Sequence, residues 1–145
     1  MKKLFFSILF MAFALSLDAA MDGRPISFDG LPKNAQQIII QHFSQDNVLM
    51  AEMDRDGLRT EYEVRLKDGT ELDFDGDGNL KKVDCQNRRV PDGLLPAEVL
   101  TYVNTNYPDS FITEWSKDDG RWKAELDNGL DLKFNRKYQF VGFDD

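Results

Sequence analysis

The sequence predicts an α+β protein in which two tandem α-β repeats build one antiparallel sheet, with the helices on one face. Three observations carry that expectation. Strand-like alternation flanks a tight glycine turn twice, around Gly69 and again around Gly129. A Leu-Pro pair opens a helix-periodic segment twice, at Leu31-Pro32 and at Leu95-Pro96. These pairs keep nearly constant separations, 64 residues for Leu31 and Leu95 and 60 for Gly69 and Gly129, as an internal repeat requires.

Residues 1–20 read as a secretory signal peptide. Lys2 and Lys3 precede an apolar run from Leu4 to Leu17 that is too short to span a bilayer, and the small residues Ala19 and Ala20 follow. In the first repeat, residues 21–85, Ala35, Ile38, Ile39 and Phe43 recur at helical spacing, and Pro32 suits a first helical turn, where a missing N–H costs nothing. A short apolar strand, Val48 to Met53, then leads into the turn Asp54-Arg55-Asp56-Gly57. Beyond it Tyr62, Val64 and Leu66 alternate with charged residues, and alternation resumes at Thr70, Leu72 and Phe74. A three-residue loop, Lys67-Asp68-Gly69 with Gly69 left-handed, pairs Tyr62 with Phe74 and Val64 with Leu72, which keeps the apolar side chains on one face. A two-residue loop would set Leu66 against Glu71 and scramble the faces.

The connector, residues 86–94, holds the turn-forming Pro91-Asp92-Gly93. The second repeat, residues 95–145, restates the order: Val99, Leu100 and Val103 at helical spacing, a strand from Phe111 to Trp115, and the turn Lys117-Asp118-Asp119-Gly120. Then come Trp122, Ala124 and Leu126, the loop Asp127-Asn128-Gly129, and Leu130, Leu132 and Phe134. Phe140 and Phe143 stand 60 residues after Leu80 and Val83. A unit of about fifty residues buries only a marginal core, so the two are expected to share one.

The formal charge of −8 becomes −9 once Lys2, Lys3 and Asp18 leave with the signal peptide. That balance argues against nucleic acid, whose phosphates are bound through Lys and Arg, and against anionic membrane surfaces. It favours cations or basic protein patches as partners. Cys85 is the single cysteine and His42 the single histidine. One of each can assemble neither a disulfide, nor a Cys/His metal cluster, nor a His-based triad. The chain is therefore not expected to be an enzyme, and no catalytic residue is assigned.

The run YEVRLKDGTELDFDGDGNLKKVD, restated as WKAELDNGLDLKFNRKYQFVGFD after VPDGLLPAEVLTYVNTNYPDSFITEW, resembles the PepSY-like periplasmic family, related in fold to the beta-lactamase inhibitor protein. The resemblance covers about residues 27–144. It implies two tandem α/β repeats on an antiparallel sheet, export to the periplasm, and a binding or inhibitory role. Where the family carries a large aromatic after the glycine turn, this chain has Leu80 in one repeat and Phe140 in the other.

One segment carries candidate ion chemistry. From Asp73 to Asp84, carboxylates fall at positions 1, 3 and 5 of a twelve-residue calcium loop (Asp73, Asp75, Asp77), with Gly78 at 6, Asn79 at 7 and Asp84 at 12. Alternate hard oxygen ligands and a permissive glycine suit Ca²⁺, and Asp in place of a bidentate Glu at the close predicts weak binding. The same residue types also make a plain turn between strands with no ion at all. Lys133, Asn135 and Lys137 hold the matching positions of the second repeat, so the fold does not require the acids.

Two functional classes follow. One is a periplasmic binding or inhibitory module that docks a protein on the open sheet face, with calcium stiffening the Asp73–Asp84 loop. The other is a dedicated Ca²⁺-binding protein of the same compartment. An enzyme of unknown class ranks third, for want of a nucleophile–base pair.

Overall fold

The computed structural model describes residues 23–144, so the expected signal peptide lies outside the described residues. Nine strands form one antiparallel sheet whose spatial order follows the chain. Strand β1 spans Arg24–Ile26, helix α1 Lys33–His42, β2 Val48–Asp56, β3 Arg59–Leu66, β4 Glu71–Phe74 and β5 Leu80–Asp84. After a 3-10 turn at Asp92–Leu94 come α2, Ala97–Asn106, then β6, Ile112–Asp118, β7, Arg121–Leu126, β8, Asp131–Phe134, and β9, Phe140–Phe143. The protein is α+β, with both helices preceding four-strand meanders.

Both glycine loops have the expected geometry. Tyr62 pairs with Phe74 and Val64 with Leu72, and Trp122 pairs with Phe134 and Ala124 with Leu132. Gly69 (φ 93°) and Gly129 (φ 88°) take the left-handed turn position that a Cβ disfavours. Each loop is tied by a side-chain oxygen two residues before the donor: the Thr70 N–H donates to Asp68 Oδ1 at 2.9 Å and the Leu130 N–H to Asn128 Oδ1 at 3.0 Å.

The structure departs from the sequence reading at three places. Pro32 and Pro96 are N-caps rather than first-turn residues, because their ψ values of 149° and 143° are extended and each helix begins one residue later. β2 and β6 run through the segments read as turns, to Asp56 and Asp118, since the chain reverses in only two residues at Gly57-Leu58 and Asp119-Gly120. Positive φ at Gly57, Asp119 and Gly120 permits such tight reversals. β1 is an added edge strand, too short and too interrupted by Pro25 to show a periodic pattern.

One hydrophobic cluster lies between the helices and a single sheet face. Ala35 and Ile39 of α1 and Val99 and Val103 of α2 join Val64, Leu66, Leu72, Phe74 and Val83 of the first meander and Trp115, Ala124, Leu126, Leu132 and Phe134 of the second. Full burial of Phe74 and Phe134 contributes about 1.5–3 kcal/mol each relative to exposure. The Gln36 side chain supports α1 by donating to the Leu31 carbonyl at 2.8 Å, satisfying a polar group that the core would otherwise strand. The meanders meet where β5 pairs with β6: Lys82 faces Ser116, Val83 faces Trp115 and Asp84 faces Glu114. The connector is not loose, because Val90 is fully buried and its N–H donates to the Ile112 carbonyl at 2.8 Å.

Candidate functional site

The β4–β5 turn is organised by one side chain. Asp75 Oδ1 accepts the backbone N–H groups of Asp77 and Asn79, each at 2.9 Å, while Asn79 Nδ2 donates to Asp75 Oδ2 at 3.1 Å. The Asp75 N–H donates to the Asn79 carbonyl and the Gly78 N–H to the Asp75 carbonyl, closing five residues into a knot. Burial alone would raise the Asp75 carboxyl's pKa, but the Asn79 N–H and amide, the Asp77 N–H and nearby Lys81 outweigh it and hold the group below its ordinary range. The β8–β9 turn is the same knot without acids: Asn135 Oδ1 accepts from the N–H groups of Lys137 and Gln139, and Asn135 Nδ2 donates to Gln139 Oε1.

Of the five residues proposed for calcium, the structure brings together Asp75, Asp77 and Asn79. Asp73 sits on β4 opposite Lys82, and Asp84 ends β5 opposite Glu71 and Glu114. Asp84 Oδ1 accepts the Gln86 N–H at 2.9 Å, four residues along an extended strand from Leu80. Among the described residues no group of three or more His, Cys, Asp or Glu side chains is placed to hold a metal ion. As folded here, Asp75, Asp77 and Asn79 share one turn while Asp73 and Asp84 stand on the flanking strands.

The turns differ in what they rest on. Gly78 (φ 83°) lies against the start of α1, so close that a Cβ there would stand 2.8 Å from Pro32 Cβ and 3.0 Å from the Ala35 nitrogen, and Asn34 Nδ2 donates to the Asp77 carbonyl at 3.1 Å. Tyr138 (φ 62°) holds the corresponding place in the second turn. Its ring lies 6.4 Å from Trp115 and 6.3 Å from Trp122, which stack face to face at 4.8 Å. Beside α2 this leaves a groove of about 580 Å³, lined by Glu98, Thr101, Tyr102, Tyr138 and Phe140 among others.

Opposite the helices, the sheet's open face carries charge in rows set by register. Glu71, Asp84, Glu114, Glu125 and Asp131 are direct neighbours on five successive strands, β4 to β8. Like charges placed directly opposite destabilise a sheet. Burial, then Asp84, with Glu125 adding and Lys82 and Lys123 opposing, raises the Glu114 pKa. Burial with Asp73 and Glu71 does the same to Glu63, and burial with Glu71 and Glu61 to Asp73, against Lys82. Asp131 Oδ1 is buried with no hydrogen-bond partner among the described residues. Relief is partial: Arg65 Nη2 lies 2.6 Å from Glu71, Lys81 pairs with Glu61, and Lys133 Nζ lies 3.0 Å from Asp144. The alternation pattern marks these residues as solvent-facing, but the row itself depends on pairing between strands of different hairpins, which no sequence period encodes.

A family model described as beta-lactamase-inhibitor-like, PepSY-like matches residues 60–142. Three solved structures share the fold over nearly their whole length. A candidate periplasmic protein of the DUF2874 family from Bacteroides vulgatus is 33% identical with a TM-score of 0.82, covering 87% of this chain and 99% of that one. A candidate calcium-regulated periplasmic protein from Bacteroides thetaiotaomicron is 38% identical with a TM-score of 0.79, covering 86% and 98%. A periplasmic protein of unknown function from Bacteroides vulgatus is 29% identical with a TM-score of 0.78, covering 85% and 99%. No curated protein matches the chain.

Proposed function

Since the chain belongs to the PepSY-like, beta-lactamase-inhibitor-like family, we propose that it is an exported periplasmic module that binds, and by binding inhibits or sequesters, a partner protein whose basic surface docks on the open sheet face. The observation that carries this is the carboxylate row Glu71, Asp84, Glu114, Glu125 and Asp131. A row of like charges held on a rigid sheet keeps an unfavourable self-interaction that Lys and Arg side chains from outside would relieve. Export rests on residues 1–20 as a signal peptide and on relatives described as periplasmic. Among the described residues no helix is long and apolar enough to cross a membrane.

In this reading residues 21–85 and 95–145 are two copies of one unit joined by residues 86–94. Its support is the equality of the hairpin registers and of the Asp75 and Asn135 turns. The test is capture from periplasmic extract on the immobilised mature chain, wild type against Glu114→Lys/Glu125→Lys. A partner retained by wild type and lost by the charge reversal is expected. Equal retention by both, or none by either, would count against the open face.

The second reading, Ca²⁺ binding by Asp73, Asp75, Asp77, Asn79 and Asp84, draws on the spacing and on the relative described as a candidate calcium-regulated protein. It requires the Asp75 turn to open so that the carboxylate exchanges N–H donors for the ion. Calorimetric titration of Ca²⁺ into wild type and Asp75→Ala/Asp77→Ala decides: heat in the first and none in the second is expected, whereas two flat traces would remove the ion.

A further inference from the structure

Strands β1 and β5 hold matching places on the sheet. Ile26 faces Ala51 and Pro25 faces Glu52 on β2, as Val83 faces Trp115 and Lys82 faces Ser116 on β6. β2 and β6 correspond through their hairpin partners, because Ala51 lies opposite Val64 and Trp115 opposite Ala124, the residue 60 positions later. Both strands also carry an irregularity at the same step, between Val48 and Met50 in one and between Ile112 and Glu114 in the other. So β1 sits on β2 where β5 sits on β6.

β9 is the counterpart of β5, with Phe143 paired to Leu132 as Val83 is to Leu72. Yet among the described residues β9 ends the sheet. Val83 is fully buried, whereas Phe143 is 54% exposed and its neighbour Val141 53%. An uncovered apolar edge of this kind is a template for another strand.

We propose that the free edge of β9 docks β2 of a second copy of this chain, rebuilding between molecules the junction that β5 and β6 make within one, and that β1 is the plug that prevents it. The sizes are complementary. Within the chain a small Val83 faces a large Trp115, and between chains the large Phe143 would face the small Ala51. Gly142 would face Glu52, bringing that carboxylate beside Lys133 of β8, the residue that pairs with Gly142. β1 is suited to be displaced: it has only three residues. Pro25, set opposite Glu52, has no N–H and blunts the outer edge of β1, so the plugged molecule presents one receptive edge and not two. The contact would be head to tail, and unplugged molecules would grow into open chains rather than stop at a dimer. This inference rests on the two-unit reading above and not on the carboxylate row.

The test is sedimentation of the mature chain carrying Ile26→Asp, which sets a charge against Ala51 and unseats β1. Wild type should stay monomeric, while the variant's mass should rise with concentration past that of a dimer. Adding Val141→Lys/Phe143→Lys should return it to monomer. With Ala51→Cys and Phe143→Cys added to Ile26→Asp, oxidation should link successive molecules. A folded Ile26→Asp that stays monomeric overturns the docking proposal and leaves the two-unit reading standing. Oligomers that persist with the lysines, or fail to link through residues 51 and 143, overturn the docking proposal and likewise leave the two-unit reading standing. If Ile26→Asp does not fold, a synthetic Val48–Asp56 peptide titrated into labelled wild type decides: amide shifts along Phe140–Phe143 support the proposal, and their absence overturns it.

Discussion

Replacing Asp75 by asparagine and by alanine should give two different proteins. Asp75 Oδ1 accepts two backbone N–H groups, and its Oδ2 takes a third bond from the Asn79 amide. Alanine removes all of them. In an exposed turn, where water partly replaces the lost acceptor, two such backbone bonds are together worth about 1–2 kcal/mol. With a urea slope of about 1.5–2 kcal/mol/M, that lowers the unfolding midpoint by about 0.5–1.3 M. Asparagine keeps the Oδ1 acceptor, and Asn135 already closes the sister turn with the same two bonds. Asp75→Asn should therefore stay within about 0.5 kcal/mol of wild type at pH 7. pH adds a test of wild type against Asp75→Asn. The folded carboxyl titrates below its ordinary value of 3.8, so its contribution is complete above that value and disappears as pH falls through the lower, folded one. Asparagine has no such dependence, and the gap between wild type and Asp75→Asn should close in acid. Equal losses for Asn and Ala at pH 7 would refute the account, by showing that the charge and not the acceptor geometry holds the turn.

Three further outcomes are expected. Gly129→Ala should cost about 1 kcal/mol for its left-handed backbone alone, since nothing lies within 4 Å of the added Cβ; Gly78→Ala should cost about 1–3 kcal/mol more because its Cβ meets Pro32 and the α1 backbone, and equal urea midpoints for the two would show that the turn does not rest on the helix. Glu114→Gln should raise the urea midpoint at pH 7, because a folded pKa raised by burial and by Asp84 means that ionisation opposes folding; the gain should fade as pH falls below the ordinary 4.5, where both states are protonated, and a lower midpoint at pH 7 would contradict the reasoning. Cys85, buried with its thiol pKa pushed up by burial against the pull of Thr70 and Arg88, should resist a thiol-specific dye in the native protein and react fully in urea; fast native labelling would refute that.

Much of the architecture is legible in the sequence because it is encoded locally. Two alternating runs and one glycine suffice to register the Tyr62–Phe74 hairpin, and the same pattern 60 residues later registers its counterpart. Less legible are features that depend on residues distant in sequence. Val90 gives no sign in its polar surroundings that it is buried in the core, and β1 is too short to alternate. For the candidate site, the residue types from Asp73 to Asn79 point to the right loop, but composition cannot say whether a carboxylate faces an ion or its own backbone. The Asp75 bonds are local, whereas the spread of Asp73 and Asp84 along the strands follows from where β4 and β5 begin and end. Tyr102 and Tyr138, which border the groove beside α2, carry no joint signal in the sequence because their meeting depends on the packing of α2 over the second meander.

Because spatial strand order follows chain order, every strand's first partner is the one made just before it. Such a sheet can grow by accretion, each strand zipping onto a finished edge across a short loop, except at β1–β2 and β5–β6, where a helix lies between the partners, so its sequence-local contacts favour rapid formation for a protein so rich in strand. A polypeptide threaded through a membrane pore from its amino end would emerge in the order in which it assembles. The last strand to appear, paired to β8 alone, would then be left with its outer edge open among the described residues.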